Sequence, residues 1–324
     1  MKIVFQGQNA ANFRVGFEPL IPAGHTLVDL PDMLADPADR AHYASADVVI
    51  GVRLDAGMPR PAAARLFHAP AAGTDGIDLS CLPPACALCN CFGHEYAIAE
   101  YVMAALLLRH VPLAQADADL RRGQWTYHAG RPGALRTELG AQTLGVLGFG
   151  HIGQTIAARA KAFGMRVHAA NRSAVSSPVV DRAYGLPALE EFMASVDIVV
   201  VTLPLAENTR GLVGSQALAA MRPAAVLVNV GRGAVVDEAA LFEALQSGRL
   251  ASAIIDTWYQ YPDATRTECA PSRLDFESLP NVLMTPHMSG WTEGTVRRRQ
   301  QTLADNIGRL ARGEALLNVV RAAA

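Results

Sequence analysis

The sequence predicts an α/β protein built from two doubly wound parallel-sheet domains, and three observations point there. Short apolar runs alternate with helical patterns along the chain. The alternation starts afresh near residue 143, and at that restart a glycine-rich turn joins an apolar run to a helix. Sheets covered by helices are the packing solution for such alternation. A chain of 324 residues is also long enough for two domains with sizeable cores.

In the first series, KIVF, TLVDL, DVVIGV, RLFHAP and ALCNC read as strands. A strongly apolar helix is expected from about Glu95 to His110, followed by a loop rich in Gly, Arg and Trp. The second series runs through TLGVLG, MRVHAAN, DIVVVTLP, AVLVNVG, ASAIID and NVLMTP. Residues 262–280 read as a long irregular loop, and a tail helix is expected from Glu293 to Gly313. The expected division gives residues 1–94 and 286–324 to one domain and residues 95–285 to the other, with a cleft between them.

Composition narrows the function classes. The chain is 51% hydrophobic and 18% charged, which suits a compact soluble protein. A net charge of −2 gives no electrostatic case for nucleic acid or a membrane surface. The opening MKIVFQGQNA reads as a strand, its apolar run too short for a signal peptide. The segment YAIAEYVMAALLL carries Glu100 and is too short to span a bilayer, so a cytoplasmic location is expected. Of five cysteines, Cys81, Cys86, Cys89 and Cys91 cluster, and Cys86 and Cys89 have C-x-x-C spacing. A structural zinc wants a second, well-spaced pair on exposed loops. This run reads instead as a buried strand in which cysteine is a small hydrophobe, and no metal is expected.

The glycine turn carries the first functional signal. TLGVLGFGHIGQTIAARAKAFGMRV sets Gly148, Gly150 and Gly153 in G-x-G-x-x-G order between a strand and a helix. That context is what a dinucleotide-binding unit demands. Gly148 would permit the tight turn, Gly150 the approach of backbone to pyrophosphate, and Gly153 close helix packing, with the anion at the helix N-terminus. His151 and Ile152 lie inside the loop and count with the cofactor site, the His151 side chain being read as local packing. At the end of the next strand, where NAD binders place an acid, the chain has Asn171, Arg172 and Ser173. Arg172 can pair with a 2′-phosphate, and Asn171 and Ser173 can donate to it, so NADP is favoured, with NAD possible.

Two further residues carry chemistry. VLVNVGRGAVVDEAALFEAL puts Arg232 in a glycine-flanked turn after a buried strand, where a guanidinium can hold a carboxylate or a polarised carbonyl. In TPHMSGW, His287 is a candidate proton carrier.

With these residues the chain resembles the D-isomer-specific 2-hydroxyacid dehydrogenase family. The resemblance rests on GTDGIDL, AIAEYVMAALLL, LGFGHIG, LPLAENTRGLV, VNVGRGAVVDEAAL, the Asp256 stretch and NVLMTPHMSG, spread over nearly the whole sequence. It is most like the NADP-dependent glyoxylate and hydroxypyruvate reductase branch. The resemblance implies a flavodoxin-like substrate domain and a Rossmann-type dinucleotide domain. It implies that Arg232 binds the substrate carboxylate and carbonyl oxygen, that His287 donates the proton in reduction, and that backbone near Ala72 and Gly73 holds the carboxylate. Asp256 would meet the nicotinamide carboxamide, and Pro204 and Val230 would line the cofactor site. His94 falls where the family carries a short polar residue near the pocket and is a candidate substrate contact. Trp291 could wall the pocket or fill core. A homodimer is expected from the family.

One position departs from the pattern. The family normally carries a glutamate five residues beyond the Asp and before a proline, hydrogen-bonded to the histidine. Here that position is Tyr261, preceding Pro262, unless Glu268 or Glu277 takes over. Formate dehydrogenases of the same superfamily also lack this glutamate. A neutral phenol brings no charge, which predicts a lower His287 pKa and reduction that fades at lower pH than in glutamate-bearing relatives. The resulting reading is NADPH-dependent reduction of a small 2-keto acid, with Arg232, His287 and Tyr261 as the catalytic set. The alternatives are a formate- or phosphite-type dehydrogenase, toward which Trp258 leans, and a dinucleotide-sensing binding protein.

Overall fold

The computed structural model describes residues 1–262 and 266–324, so part of the expected irregular loop, residues 263–265, lies outside the described residues. The strands in chain order are β1 (Lys2–Gln6), β2 (Thr26–Leu30), β3 (Val48–Ile50), β4 (Leu66–His68), β5 (Ala87–Cys89), β6 (Thr143–Leu147) and β7 (Arg166–Asn171). They continue with β8 (Arg182–Gly185), β9 (Ile198–Val201), β10 (Val226–Asn229), β11 (Ser252–Ile255), β12 (Val282–Met284) and β13 (Val319–Arg321). Every expected strand forms, as do the three expected helices, Glu95–His110, His151–Ala162 and Glu293–Arg312. Strands β8 and β13 and a helix at Leu113–Arg121, inside the expected loop after His110, were not foreseen. β8 and β13 are short and mostly polar or exposed, so they lack the apolar run that announces a strand.

The chain divides into two compact units. The first comprises Met1–His94 and Trp291–Ala324, with sheet order β13-β5-β4-β3-β1-β2. All its pairings are parallel except β13 on β5. Each strand of the central β1, β3 and β4 trio is apolar on both faces because both faces are covered. One face packs Val4, Val49, Phe67, Leu88 and Tyr43. The other packs Ile3, Phe5, Ile50 and Leu66 against Leu303 and Ile307 of the helix Glu293–Arg312.

The cysteines show how period-two geometry sorts side chains. Cys81 and Cys86 lie in the first of these cores, and Cys89 and Cys91 in the second. Cys86, just before β5, and Cys89, at its end, point to opposite faces, so the C-x-x-C spacing does not make a chelate. Burial pushes the thiol of Cys86 up to about 11 and those of Cys89 and Cys91 up to about 12.

The second unit, Glu95–Gly290, has seven parallel strands in the order β12-β11-β10-β9-β6-β7-β8. With β6 counted as strand one this is the 3-2-1-4-5-6 order of a doubly wound sheet, with a seventh strand at the edge. The helix Glu95–His110 covers one face through Ile98, Val102 and Leu106, beside Ile156 and Ala160 of the helix His151–Ala162. The unit extends to Gly290, beyond the expected boundary at residue 285. The reason is local: residues 285–289 are bonded to Asp256 at the end of β11. His287 therefore belongs to this unit. Among the described residues, no single helix is long and apolar enough to cross a membrane.

Candidate active site

The glycine turn follows β6 at the point where the strand order reverses, between β6 and β9. Gly148 has φ +102, open to glycine at little cost, and its carbonyl accepts the Thr202 hydroxyl at 2.6 Å. A Cβ on Gly153 would sit 2.2 Å from the Gly148 carbonyl oxygen and 2.8 Å from Val146, so only glycine lets the helix pack there. A Cβ on Gly150 would meet nothing within 4 Å. Gly150 thus fronts open space at the N-terminus of the helix His151–Ala162, whose first N–H groups have no intrahelical acceptor. A pyrophosphate fits that cradle. Asn171 braces it: its Oδ1 accepts from Phe149 N at 3.3 Å and its Nδ2 donates to Ser173 O at 3.2 Å. Arg172 and Ser173 beside it are exposed.

The turn after β10 is set by close backbone approach. A Cβ on Gly231 would come 2.7 Å from the Leu203 carbonyl oxygen, and one on Gly233 would come 2.2 Å from that of Trp258. Asn229, fully buried, closes the turn from inside. Its Oδ1 accepts from Gly231 N at 3.2 Å and its Nδ2 donates to Arg232 O at 3.1 Å. The half-buried Arg232 donates from Nη1 to Gly231 O at 2.9 Å. Val230 is buried next to it, and Pro204 is exposed just past β9.

The histidine loop is held differently. His287 has φ +56, a left-handed conformation that a residue with a side chain adopts only when its surroundings impose it. Asp256 imposes it. Its carboxylate, wholly buried, accepts the Thr285 hydroxyl at 2.6 Å and Met288 N at 2.9 Å on Oδ1, and Ser289 N at 3.0 Å on Oδ2. Tyr101, from the helix Glu95–His110, meets the Thr285 hydroxyl at 2.7 Å. Trp258 is buried and donates from its indole to Thr285 O at 2.8 Å. It braces the histidine loop. Asp256 is likewise a clamp on the loop that bears the histidine.

Behind His287 stands Tyr261. Its Oη lies 3.0 Å from His287 Nδ1 and accepts the Trp258 backbone N–H at 3.0 Å. The rings are 5.5 Å apart and tilted by 55°. Burial raises the Tyr261 pKa above its ordinary value of 10, the Trp258 N–H and the Arg232 charge opposing. Glu268 and Glu277 are exposed.

Arg232, Tyr261, His287, Asp256, Val230, Pro204 and the glycine turn thus share one unit, whereas Ala72, Gly73 and His94 belong to the other. There Ala72 O accepts Asn90 Nδ2 at 2.7 Å, and His94 immediately precedes the helix Glu95–His110. Trp291, half-exposed, packs edge to face on Phe13 at 5.8 Å. Sequence reasoning did not single out Asn229, Thr285 or Tyr101. The lone amide ending VLVN was a usable signal for Asn229. Nothing in an apolar helix marks which tyrosine reaches a loop 184 residues away.

A doubly wound sheet with a glycine cradle at its switch point is the mark of a dinucleotide-binding protein. The chain belongs to the D-isomer-specific 2-hydroxyacid dehydrogenases: the family model described as D-isomer specific 2-hydroxyacid dehydrogenase, NAD binding domain, matches residues 102–289. It is 33% identical over 227 residues, 69% of its length, to the D-3-phosphoglycerate dehydrogenase of Methanocaldococcus jannaschii. It is 34% identical over 229 residues, again 69% of its length, to the glyoxylate reductase of Aeropyrum pernix. The aligned stretch spans 41% of the former and 66% of the latter. The structure is similar to the NADPH-dependent glyoxylate/hydroxypyruvate reductase of Sinorhizobium meliloti, solved with NADP and sulfate. The TM-score is 0.78 at 25% identity, covering 98% of this chain and 97% of that one.

Proposed function

We propose that the protein reduces a small 2-keto acid of the glyoxylate or hydroxypyruvate type to the D-2-hydroxy acid, using NADPH. The observation that carries this reading is the union, in one unit, of the Gly150 cradle, the fixed Arg232 turn and the His287–Tyr261 pair. Arg232 engages the substrate's carboxylate and carbonyl oxygen and stabilises the charge that grows on that oxygen. The bound dinucleotide supplies the hydride to the carbonyl carbon. His287 delivers the proton to the oxygen. Arg172, exposed at the end of β7 where an acid would repel a 2′-phosphate, supports NADPH over NADH. Ala72, Gly73 and His94 are proposed, on the resemblance alone, to touch substrate.

A purely dinucleotide-sensing role leaves unexplained why the arginine turn and the histidine's hydrogen-bonded partner are both built. We further propose a homodimer, supported by exposed apolar side chains at Leu113, Leu120, Trp125 and Leu135, which light scattering tests. A cytoplasmic location is proposed too, in keeping with five free thiols. The deciding experiment follows oxidation of NADPH and NADH with glyoxylate, hydroxypyruvate, pyruvate and 3-phosphohydroxypyruvate, and tests formate and phosphite in the oxidative direction. Turnover of a small keto acid with NADPH preferred is expected. Turnover of formate or phosphite alone, or NADPH binding with no turnover of any keto acid, overturns it.

A further inference from the structure

Building on the reductase reading, we propose that His287 acts as a neutral imidazole backed by Tyr261, whose hydroxyl proton moves to Nδ1 as the Nε2 proton moves to the substrate oxygen. The bonds around the phenol oxygen carry this. Conjugation with the ring places the O–H and the main acceptor direction of a phenol in the ring plane, on opposite sides. The Trp258 N–H, at 3.0 Å, takes the acceptor direction. The hydroxyl proton is left for the other neighbour, which among the described residues is His287 Nδ1 at 3.0 Å. A ring whose Nδ1 accepts carries its own proton on Nε2.

The contrast with a carboxylate is one of sign. A carboxylate only accepts, so it fixes the proton on Nδ1 and leaves Nε2 protonated in the imidazolium alone. A donating hydroxyl gives the neutral ring an Nε2–H, so Tyr261 acts as a positioning residue that also relays the proton.

The step balances. The Oη–H and Nε2–H bonds break, Nδ1–H and the alcohol O–H form, and the hydride reduces the carbonyl carbon. Reset takes one proton from water to Nε2 of His287, an exposed residue, while the Nδ1 proton returns to Oη. Among the described residues, the titratable or charged groups that act on Tyr261 are His287, Arg232 and Asp256. Arg232 and the Trp258 N–H favour the transient phenolate, while Asp256 and burial oppose it. The phenol therefore keeps its proton through neutral pH and yields it only to a base as strong as the new alkoxide. The Asp256 clamp and the left-handed His287 backbone hold Nδ1 toward Oη. The early loss of reduction with rising pH, expected from an unsupported imidazolium, then does not occur.

Two measurements test this. In protein labelled with ¹⁵N-histidine and bound to NADPH, the His287 signal, assigned with His287→Ala, is expected to show unprotonated Nδ1 and protonated Nε2 at pH 8. In Tyr261→Phe that bias is expected to relax. Protonated Nδ1 in the wild type, or the same tautomer in both proteins, overturns the relay. In the pH profile of keto-acid reduction, an imidazolium acid with an ordinary pKa near 6.5 loses roughly 100-fold by pH 8.5. The wild type is expected to stay within about twofold across that range, because its acid is a phenol. Tyr261→Phe is expected to acquire the fall, and Tyr261→Glu to show it displaced to higher pH, with little change in KM. A wild-type profile that already falls overturns the relay and leaves the reductase reading standing. Absence of turnover counts against the reductase reading, while the tautomer still decides the relay.

Discussion

The Arg232 turn and the His287 loop face similar demands and meet them by different physics. Both must hold one functional side chain at the end of a strand. The turn does it by exclusion: Gly231 and Gly233 let backbone come so near that no other residue fits, and Asn229 ties the ends. The loop does it by attraction, with one buried carboxylate gathering two backbone N–H groups and a hydroxyl around a histidine in a left-handed conformation. A sterically set turn is written in the local sequence. A polar clamp is assembled from residues far apart, here Asp256, Thr285 and Tyr101, and tolerates no unpaired member once buried.

The largest expected effect is at the turn's side chain: Arg232→Lys lowers kcat/KM for the keto acid by roughly 10³-fold, since an ammonium lacks the fork that meets two oxygens. NADPH affinity, measured by fluorescence titration, stays unchanged, and a loss in both would assign Arg232 to the cofactor instead. A buried polar group that titrates shows the cost of a clamp in the other unit. His68 is wholly buried, with Nε2 2.8 Å from Asn306 Nδ2, and burial depresses its pKa from 6.5 to about 4. Its folded pKa lies below the unfolded one, so full stability holds above pH 6.5 and is lost as pH falls toward 4. The expected loss is about 3 kcal/mol, read from urea midpoints. His68→Gln should flatten that slope.

The clamp itself is next. Asp256→Asn turns an acceptor into a donor opposite donors, at about 2 kcal/mol. A loosened histidine lowers kcat about 10²-fold. Undiminished kcat would show that the loop holds its shape without the charge. Two glycine substitutions probe the steric side. Gly233→Ala, pressed against Trp258 O, destabilises by about 1–3 kcal/mol. Gly150→Ala, facing open space, leaves stability within about 0.5 kcal/mol but weakens NADPH binding, which calorimetry measures.

The same distinction explains what was legible beforehand. The glycine cradle, the Gly-Arg-Gly turn, the apolar strands and the Tyr261 departure are local patterns, and the structure forms each of these elements. The helix Leu113–Arg121 escaped because it is mostly exposed and alternates small apolar with polar residues, without a clear apolar stripe. Asp256 was read as a cofactor contact because its position matches the family. Its three bonds to the histidine loop are invisible until β11 and β12 are laid side by side.

By itself, then, the sequence determined the two-series α/β architecture, the dinucleotide cradle and the identities of the arginine, histidine and tyrosine. These follow from hydrophobic period, glycine placement and residue chemistry, all of which act over a few residues. The tertiary structure decided that Cys86 and Cys89 face opposite cores, that His287 folds with the second unit, and that Tyr261 stands at its Nδ1. Each depends on where strands distant in sequence come to lie together. Hydrogen bonds act over about 3 Å, so only the folded chain fixes which polar groups meet.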